Sequence, residues 1–242
     1  MTEEEGTGAE APAAMQAASR DEGQQYALPL VIRVERGAPP ARTDALEGAA
    51  RAVLLFLTDP RVTDPDGEWA AAARAWNDTR IRKVVRRARG AAWERASALP
   101  GITVVRRSAE IRVYPPVPVD DWPADLARLQ VSGTDFDDPE PPAEPAAGAA
   151  VLWMNPDLPM TAGKAMAQAG HGAQLLWWGL EPKPPGPDFE LAVRTASGRQ
   201  WKELLASGLP VVTDGGFTEV APGSATVVAD HPALRAALGS AR

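Results

Sequence analysis

A segment rich in proline and acidic residues, at 133–148, divides the sequence into two stretches of similar length. Proline lacks a backbone N–H and fixes φ, while neighbouring carboxylates repel one another, so this segment favours neither a helix nor a central strand. We therefore interpret it as a linker between an N-terminal half at 26–132 and a C-terminal half at 149–242. Residues 1–25 are acidic and poor in apolar side chains, which predicts a disordered tail.

Both halves alternate short apolar strands with helices. In the N-terminal half, the patterns predict strands at 28–34, 81–87, 102–105 and 111–114, and helices at 43–57, 68–76 and 90–98. In the C-terminal half, they predict strands at 149–154, 188–194, 211–212 and 225–229, and helices at 161–178, with Thr161 as N-cap, and 199–207. Such alternation is typical of an α/β fold, here a small, mostly mixed β-sheet flanked by helices on both faces.

The two halves also match residue by residue at a constant offset of 108 positions. The matches that carry weight are Val85 with Val193, Arg86 with Arg194, Gly90 with Gly198, Trp93 with Trp201 and Val104 with Val212. A fixed offset over several elements indicates a degenerate tandem repeat of the α/β unit. Two unrelated segments with similar patterning are the alternative.

Composition excludes several classes of site. The 242 residues contain no cysteine, so disulfides, thiolate metal ligands and a cysteine nucleophile are absent. No apolar run approaches the roughly 20 residues that a membrane helix needs, and residues 1–23 are acidic where a signal peptide is basic and then apolar. We therefore expect a cytoplasmic protein without membrane association. His231, next to Pro232, has no evident ligand partner, and we predict neither a metal nor another cofactor.

Basic residues are concentrated in one run although the net charge is −7. Six of the ten residues from Arg80 to Arg89 are basic. Arg82, Arg86 and Arg89 could follow the phosphates of an RNA along a strand or helix. A solvated basic face, balanced by the acidic tail and linker, is the alternative.

Polar residues share one face of the predicted helix at 161–178. Lys164, Gln168 and His171 are spaced by four and three residues. A cation in the first turn opposes the helix dipole, so the position of Lys164, after Gly163, favours a role in binding a phosphate or oxyanion. The ordinary pKa of histidine, about 6.5, suits His171 to proton transfer.

A loop at 213–223 follows the strand at 211–212 and is rich in turn residues. Asp214 in this loop could hold the imidazole of His171 in one tautomer, as carboxylates do in many acid–base sites. Gly216 and Gly223 suit its tight turns. The helix and the loop therefore form the two parts of a predicted site.

The two parts together resemble the type 2 peptidyl-tRNA hydrolase family. The signature of that family is an Asp-Leu-x-Met-x-x-Gly-Lys helix start, a Gln-x-x-His within the helix and a late Thr-Asp-x-Gly-x-Thr-x-x-x-Pro-Gly loop. The matching residues are Asp157, Leu158, Met160, Gly163, Lys164, Gln168, His171, Thr213, Asp214, Gly216, Thr218, Pro222 and Gly223. The resemblance covers about residues 149–235.

This resemblance implies a function and roles for individual residues. The expected reaction is hydrolysis of the ester between peptide and tRNA in peptidyl-tRNA. His171 would transfer protons, Lys164 would stabilise the developing negative charge, Thr218 would hold water or substrate, and Asp214 would orient His171. The substrate-binding residues would be Asp157, Gly163, Gln168, Gly216 and Gly223. The family's dimeric assembly implies a pseudo-dimer within the chain, or a homodimer.

Four positions depart from the family pattern. Ala162, Phe217 and Asn155 stand where a basic residue is usual, and Glu219 replaces a glutamine. The loss of cations would weaken binding to phosphates. A catalytically inactive relative that binds RNA or a protein is therefore the alternative function.

Overall fold

The structure, a computed structural model, describes residues 24–184, 186–216 and 218–240. The predicted tail lies outside these residues except for Gln24 and Gln25. The N-terminal half contains β1 (Tyr26–Arg33), α1 (Arg42–Thr58), α2 (Pro60–Thr63), α3 (Ala70–Asn77), β2 (Arg82–Ala88), α4 (Gly90–Ala98), β3 (Ile102–Arg106), β4 (Ala109–Val113), β5 (Val117–Pro118) and α5 (Ala124–Ala127). The C-terminal half contains β6 (Ala150–Met154), α6 (Ala162–Gly179), β7 (Leu191–Thr195), α7 (Gly198–Leu205), β8 (Val211–Thr213), β9 (Ala225–Asp230) and α8 (Pro232–Ser240).

The two halves form sheets with the same strand order. The N-terminal sheet runs β2-β1-β4-β3, with β5 added beside the start of β1, and the C-terminal sheet runs β7-β6-β9-β8. In each sheet the first pair is parallel and the next two pairs are antiparallel. The predicted fold class, α/β with a small mixed sheet flanked by helices and present twice, is confirmed.

The pairing of strands within each sheet agrees with the offset of 108 positions at particular residues. Leu30, in the centre of β1, lies opposite Val85, and Leu152, in the centre of β6, lies opposite Val193. Val85 and Val193, which the sequence matches at that offset, therefore occupy equivalent places in the two sheets. Trp93 in α4 and Trp201 in α7 are both buried, as equivalent positions should be.

One core joins the two halves. The long helices α1 and α6 pack against each other, and buried residues of both sheets belong to the same apolar cluster. A second, smaller cluster covers the opposite face of the N-terminal sheet, where α4 and α5 bury Trp93 and Leu126. Within the described ranges no helix combines the length and apolarity that crossing a bilayer demands.

A buried ion pair crosses between the halves. Glu47 of α1 is 2% exposed, and its carboxylate accepts from Arg106 of its own half at 3.1 Å and from Arg194 of the C-terminal half at 2.8 Å. Removing one partner of such a group leaves a buried charge uncompensated, which typically costs about 3–5 kcal/mol. Glu47 therefore fixes the position of β7 against α1.

The linker at 133–148 contacts the N-terminal ends of both long helices. Thr134 Oγ1 accepts from the Gly163 N–H of α6 at 3.0 Å, and its carbonyl accepts from Ala162 N at 3.2 Å. Asp138 accepts from Thr43 N and Oγ1 of α1 at 2.8 and 2.7 Å. The first N–H groups of a helix have no partner within the helix, so these contacts cap both helices. The linker is thus part of the packed structure.

We expect Thr134→Val to destabilise the protein although valine has the same shape. Thr134 is 1% exposed, and the variant leaves the buried Gly163 N–H without its acceptor, a loss of about 1–3 kcal/mol. Urea unfolding measures this change, with Ser132→Ala, two residues earlier and exposed, as the matched control. Equal stability of Thr134→Val and wild type would contradict a capping role for Thr134.

Candidate active site between the two halves

A cleft of about 750 Å³ lies between the halves. The N-terminal half contributes residues 79–85 and Val131, and the C-terminal half contributes one face of α6 together with residues around the loop after β8. Its volume lies in the range typical of small-molecule sites. The polar residues that α6 and the loop bring to the cleft are Thr161, Lys164, Gln168, His171, Thr213, Asp214, Thr218 and Glu219.

Lys164 stands at the centre of the polar cluster. Thr161 caps α6 by accepting from Lys164 N, as predicted, and this fixes the first turn. The Lys164 side chain is only 10% exposed, and Nζ donates to Asp214 Oδ2 at 2.6 Å and to Thr218 Oγ1 at 3.2 Å. An ammonium has three protons. Among the described residues the third has no acceptor, so it is available to an oxygen atom of a bound ligand.

Donors surround the carboxylate of Asp214. Besides Lys164, Gln168 Nε2 donates to Oδ2 at 2.7 Å and Gly216 N donates to Oδ1 at 2.7 Å. Gln168 is held in turn by Thr226, whose hydroxyl donates to Gln168 Oε1 at 2.6 Å. These contacts fix Asp214 and Gln168 in single orientations. Gln168 is 2% exposed and therefore supports Asp214 more directly than it could contact a substrate.

His171 does not pair with Asp214. Its Nδ1 lies 3.1 Å from Nζ of Lys83, a residue of β2 in the N-terminal half. Asp214 has Lys164, Gln168 and Gly216 as partners, and no described hydrogen bond joins it to His171. The prediction that Asp214 orients the imidazole is therefore wrong. A helix face extends over seven residues from Lys164 to His171, about 10 Å along the axis, so one carboxylate bonds only its nearer end.

The surroundings of His171 disfavour its charged form. Burial, followed by the positive charges of Lys83 and Lys164, lowers the pKa of His171 well below its ordinary value. Both causes act in the same direction, because desolvation and nearby cations each penalise an imidazolium. His171 is therefore neutral at neutral pH, with one ring nitrogen protonated and one free.

The N-terminus of α6 is not an open anion site. Its first N–H groups, at Ala162, Gly163 and Lys164, are bonded to Thr134 and Thr161. These backbone N–H groups are therefore not available to a phosphate or oxyanion, and the predicted role of Lys164 in binding one depends on its side chain. An acidic side chain, Glu219, lies beside the start of α6. Its carboxylate accepts from Thr161 N at 2.9 Å and from Thr161 Oγ1 at 2.8 Å. Glu219 thus ties the loop to the start of α6.

The loop glycines have a structural role. Gly223 N donates to the carbonyl of Asp214 at 2.8 Å, and both Gly216 and Gly223 adopt positive φ, at 76° and 82°. A Cβ atom on Gly216 would lie 2.3 Å from Pro222 Cγ, whereas one on Gly223 would meet nothing within 4 Å. Both residues therefore shape the loop that carries Asp214 and Thr218, and neither of them lines the cleft.

Other predicted site residues are distributed around the molecule. Asp157 is exposed and does not line the cleft. Arg82 lines it, together with Arg80.

Arg86 lies on the far face of the N-terminal sheet, where its guanidinium donates to the carbonyls of Ala127 and Leu129 and stacks over Trp122. Arg89 is exposed at the start of α4 and does not line the cleft. The three arginines therefore do not form the continuous phosphate-binding stripe that the run predicts.

Lys83 is the residue of the cleft that sequence reasoning missed. It belongs to the basic run, but it is only 7% exposed. The available signal was its spacing from Val85, because residues two apart on a strand face the same side. Lys83 therefore points toward the core with Val85, while its neighbours do not.

Comparison of the chain with protein-family models, with curated proteins and with solved structures finds no match. The described residues also contain no group of three or more His, Asp or Glu side chains placed to hold a metal ion. The site is thus characterised by its own geometry: a buried lysine–aspartate pair, a threonine hydroxyl and a neutral histidine on one wall of a cleft.

We expect Gly216→Ala to destabilise the protein more than Gly223→Ala. Both variants force a side chain into positive φ, which costs about 1 kcal/mol, but only the first places a methyl group against Pro222. Urea unfolding of the two variants gives the comparison, with Gly198→Ala at the start of α7 as a control in open space. Equal losses in the two loop variants would contradict the contact with Pro222.

The lowered pKa of His171 predicts how stability depends on pH. The unfolded chain binds a proton at His171 near pH 6.5, and the folded chain does so only at lower pH, so this contribution is present above about pH 6.5 and is lost as the pH falls. Urea unfolding at about pH 8 and 5.5 should show a smaller decrease for His171→Gln than for wild type. An equal decrease in both would contradict a lowered pKa.

Proposed function

We propose that the cleft is the active site of a hydrolase that cleaves the ester between peptide and tRNA in peptidyl-tRNA. The observation that carries the proposal is the position of Lys164, whose ammonium is oriented by Asp214 and Thr218 and retains one N–H for a ligand. Gln168 and His171 continue along the same helix face. The sequence resemblance names these same residues, and Asp214 and Thr218 meet Lys164 in the cleft although they are 50 and 54 positions away in the chain.

The proposed reaction gives roles to Lys164, His171, Thr218 and Asp214. A water molecule attacks the ester carbonyl carbon, and negative charge develops on the carbonyl oxygen, which accepts the third N–H of Lys164. The proton lost by the water goes to the free ring nitrogen of His171 and then to the ribose oxygen as the C–O bond breaks. The hydroxyl of Thr218, whose oxygen already accepts from Lys164, donates its own proton to the water or the substrate. In this scheme Asp214 orients Lys164, whereas the sequence resemblance implied that it would orient His171.

The charge of the cleft supports a substrate that carries phosphate. Arg80, Arg82 and Lys164 line it together with Asp214 and Glu219. Cationic side chains in a concave site attract polyanions. Arg80 and Arg82 would stand in part for the basic residues that the family usually carries at positions 155, 162 and 217.

The N-terminal half takes the place of a second subunit in this proposal. It repeats the strand order of the C-terminal half and packs against it through α1 and α6. Oligomers commonly pair identical surfaces, and a tandem repeat can form the same contact within one chain. We therefore propose an intrachain pseudo-dimer with one active site.

The test is release of free tRNA from an N-blocked aminoacyl-tRNA. We expect turnover by the wild type and a loss on the order of 10²-fold in kcat for Lys164→Met, because the variant removes the donor to the developing oxyanion. Asp214→Asn should also lose activity, since it removes the charge that orients Lys164. Lys202→Met, at an exposed position on α7, is the matched control and should retain activity.

Absence of turnover by the wild type would reject the hydrolase. The remaining function would then be the inactive relative that binds RNA or a protein partner. Binding of tRNA without turnover, weakening as salt rises, would identify the RNA-binding form of that alternative.

A further inference from the structure

Lys83 occupies an unusual place for a lysine, because it lies in the buried contact between the halves. Its Nζ lies 2.6 Å from Gln174 Oε1, 3.1 Å from His171 Nδ1 and 3.3 Å from the carbonyl oxygen of Ile81. The ring of Trp76 lies 4.8 Å away. Among the described residues no carboxylate pairs with it, although buried lysines are rare without such a partner. Two neutral oxygens and one imidazole nitrogen surround this amine.

Burial and the nearby cations disfavour the imidazolium of His171, and with a neutral ring these three neighbours leave only two arrangements of protons. Gln174 Oε1 and the Ile81 carbonyl can only accept, so two N–H bonds of Lys83 point to them. If Lys83 is an ammonium, its third proton is donated to His171 Nδ1, and the ring proton must be on Nε2. If Lys83 is a neutral amine, its lone pair accepts from Nδ1–H, and Nε2 is unprotonated. The two arrangements differ by one proton.

Burial of the pair favours loss of that proton, and the charged groups nearest to it are Lys164 and Arg82. Burial lowers the pKa of Lys83 well below its ordinary value. Lys164 faces His171 from α6 itself, and it is neutralised by Asp214 of the loop after β8. Beside Lys83 on its own strand, Arg82 also lines the cleft.

Among the described residues, helices α1 and α3 present uncharged groups to the pair. From α1 the nearest group is the apolar Val53, which approaches the same part of α6 as the stem of Lys83. Helix α3 contributes the ring of Trp76 and the amide of Asn77, which accepts from Gln174 Nε2 at 3.4 Å. The pair is therefore coupled mainly to itself and to Lys164.

We propose that Lys83 is a positioning residue that selects which ring nitrogen of His171 carries the proton. With Lys83 charged, His171 presents Nε2–H and is a hydrogen-bond donor. With Lys83 neutral, His171 presents an unprotonated Nε2 and is the base that the hydrolysis requires. The inference rests on the proposed function for this consequence, but the exchange of tautomers is a property of the pair alone.

The first experiment follows both histidines by nitrogen NMR in the wild type between about pH 6 and pH 10. His171 should change from Nε2–H to Nδ1–H as the pH rises, without passing through the imidazolium. His231 is an internal reference, because its Nδ1 accepts from Ala233 N at 3.1 Å and should keep the proton on Nε2. A His171 that keeps one tautomer over the whole range would overturn the proposal.

Two variants separate the effect of Lys83 from that of the surroundings. Lys83→Arg keeps a cation that does not lose its proton, so His171 should remain Nε2–H at every pH. Lys83→Met removes the proton exchange, and His171 should show no change of tautomer with pH above its own pKa. A wild-type change of tautomer that persists in either variant would assign the transition to another group and reject the role of Lys83.

Kinetics tests the consequence for the reaction. In the wild type kcat should rise with pH in parallel with the Nδ1–H tautomer. Lys83→Arg should lose on the order of 10²-fold in kcat with little change in KM, because it removes the base and not the binding site. Combining Lys83→Arg with His171→Gln should cost no more than His171→Gln alone, whereas additive losses would indicate an independent role for Lys83. Lys202→Arg is the control.

The outcomes distinguish this inference from the proposed function. A change of tautomer without hydrolysis of peptidyl-tRNA would reject the hydrolase and leave the Lys83–His171 pair intact. Hydrolysis without a change of tautomer would keep the hydrolase and reject the pair. The wild-type spectrum requires no substitution, so the inference can be rejected even if a variant does not fold.

Discussion

The close packing of α1 against α6 is the contact on which the rest of the structure depends. Helix α6 is built largely from small residues on its buried sides: Ala162, Gly163, Ala165, Ala167, Ala169, Gly170, Gly172 and Ala173. A Cβ atom on Gly170 would lie 3.0 Å from Val53 of α1 and 3.1 Å from Cδ of Lys83. Small side chains thus allow α6 to approach both α1 and β2. Through this approach a side chain of the N-terminal half reaches His171.

The repeat is symmetric in its strands and asymmetric in its chemistry. In the N-terminal half β3 and β4 are joined by residues 107 and 108 alone, and Ser108 N and Oγ donate to Asp44, the third residue of α1, at 3.1 and 2.7 Å. In the C-terminal half residues 214–224 join β8 and β9, and the third residue of α6 is Lys164. In both halves the start of the long helix contacts the hairpin through an acidic residue. This residue is Asp44 on the helix in the N-terminal half and Asp214 on the loop in the C-terminal half. Only the longer loop supplies Asp214 and Thr218.

Sequence patterns predicted the elements well where glycine, proline and strand period mark the chain. Helix α4 has the predicted bounds, and the strands agree within a few residues, because these signals are local. Four short elements were not predicted. They are α8 at residues 232–240, the single-turn helices α2 and α5, and the two-residue strand β5. Helical spacing correctly placed Lys164 and Gln168 beside the loop. It could not identify the partner of His171, since Lys83 is 88 positions away and reaches it only through the packing of the two halves.

The basic run shows why charge in a sequence does not translate directly into a surface. Successive side chains of β2 point to opposite faces of the N-terminal sheet, so Arg86 lies over Trp122 on the outer face while Lys83 enters the contact with α6. Burying a cation without a carboxylate partner costs free energy, and such buried groups are concentrated at functional sites.

The candidate site also depends on the linker, because Thr134 caps α6. A C-terminal half alone would lack both Thr134 and Lys83, so the site needs both halves of the chain even though most of its polar groups come from one.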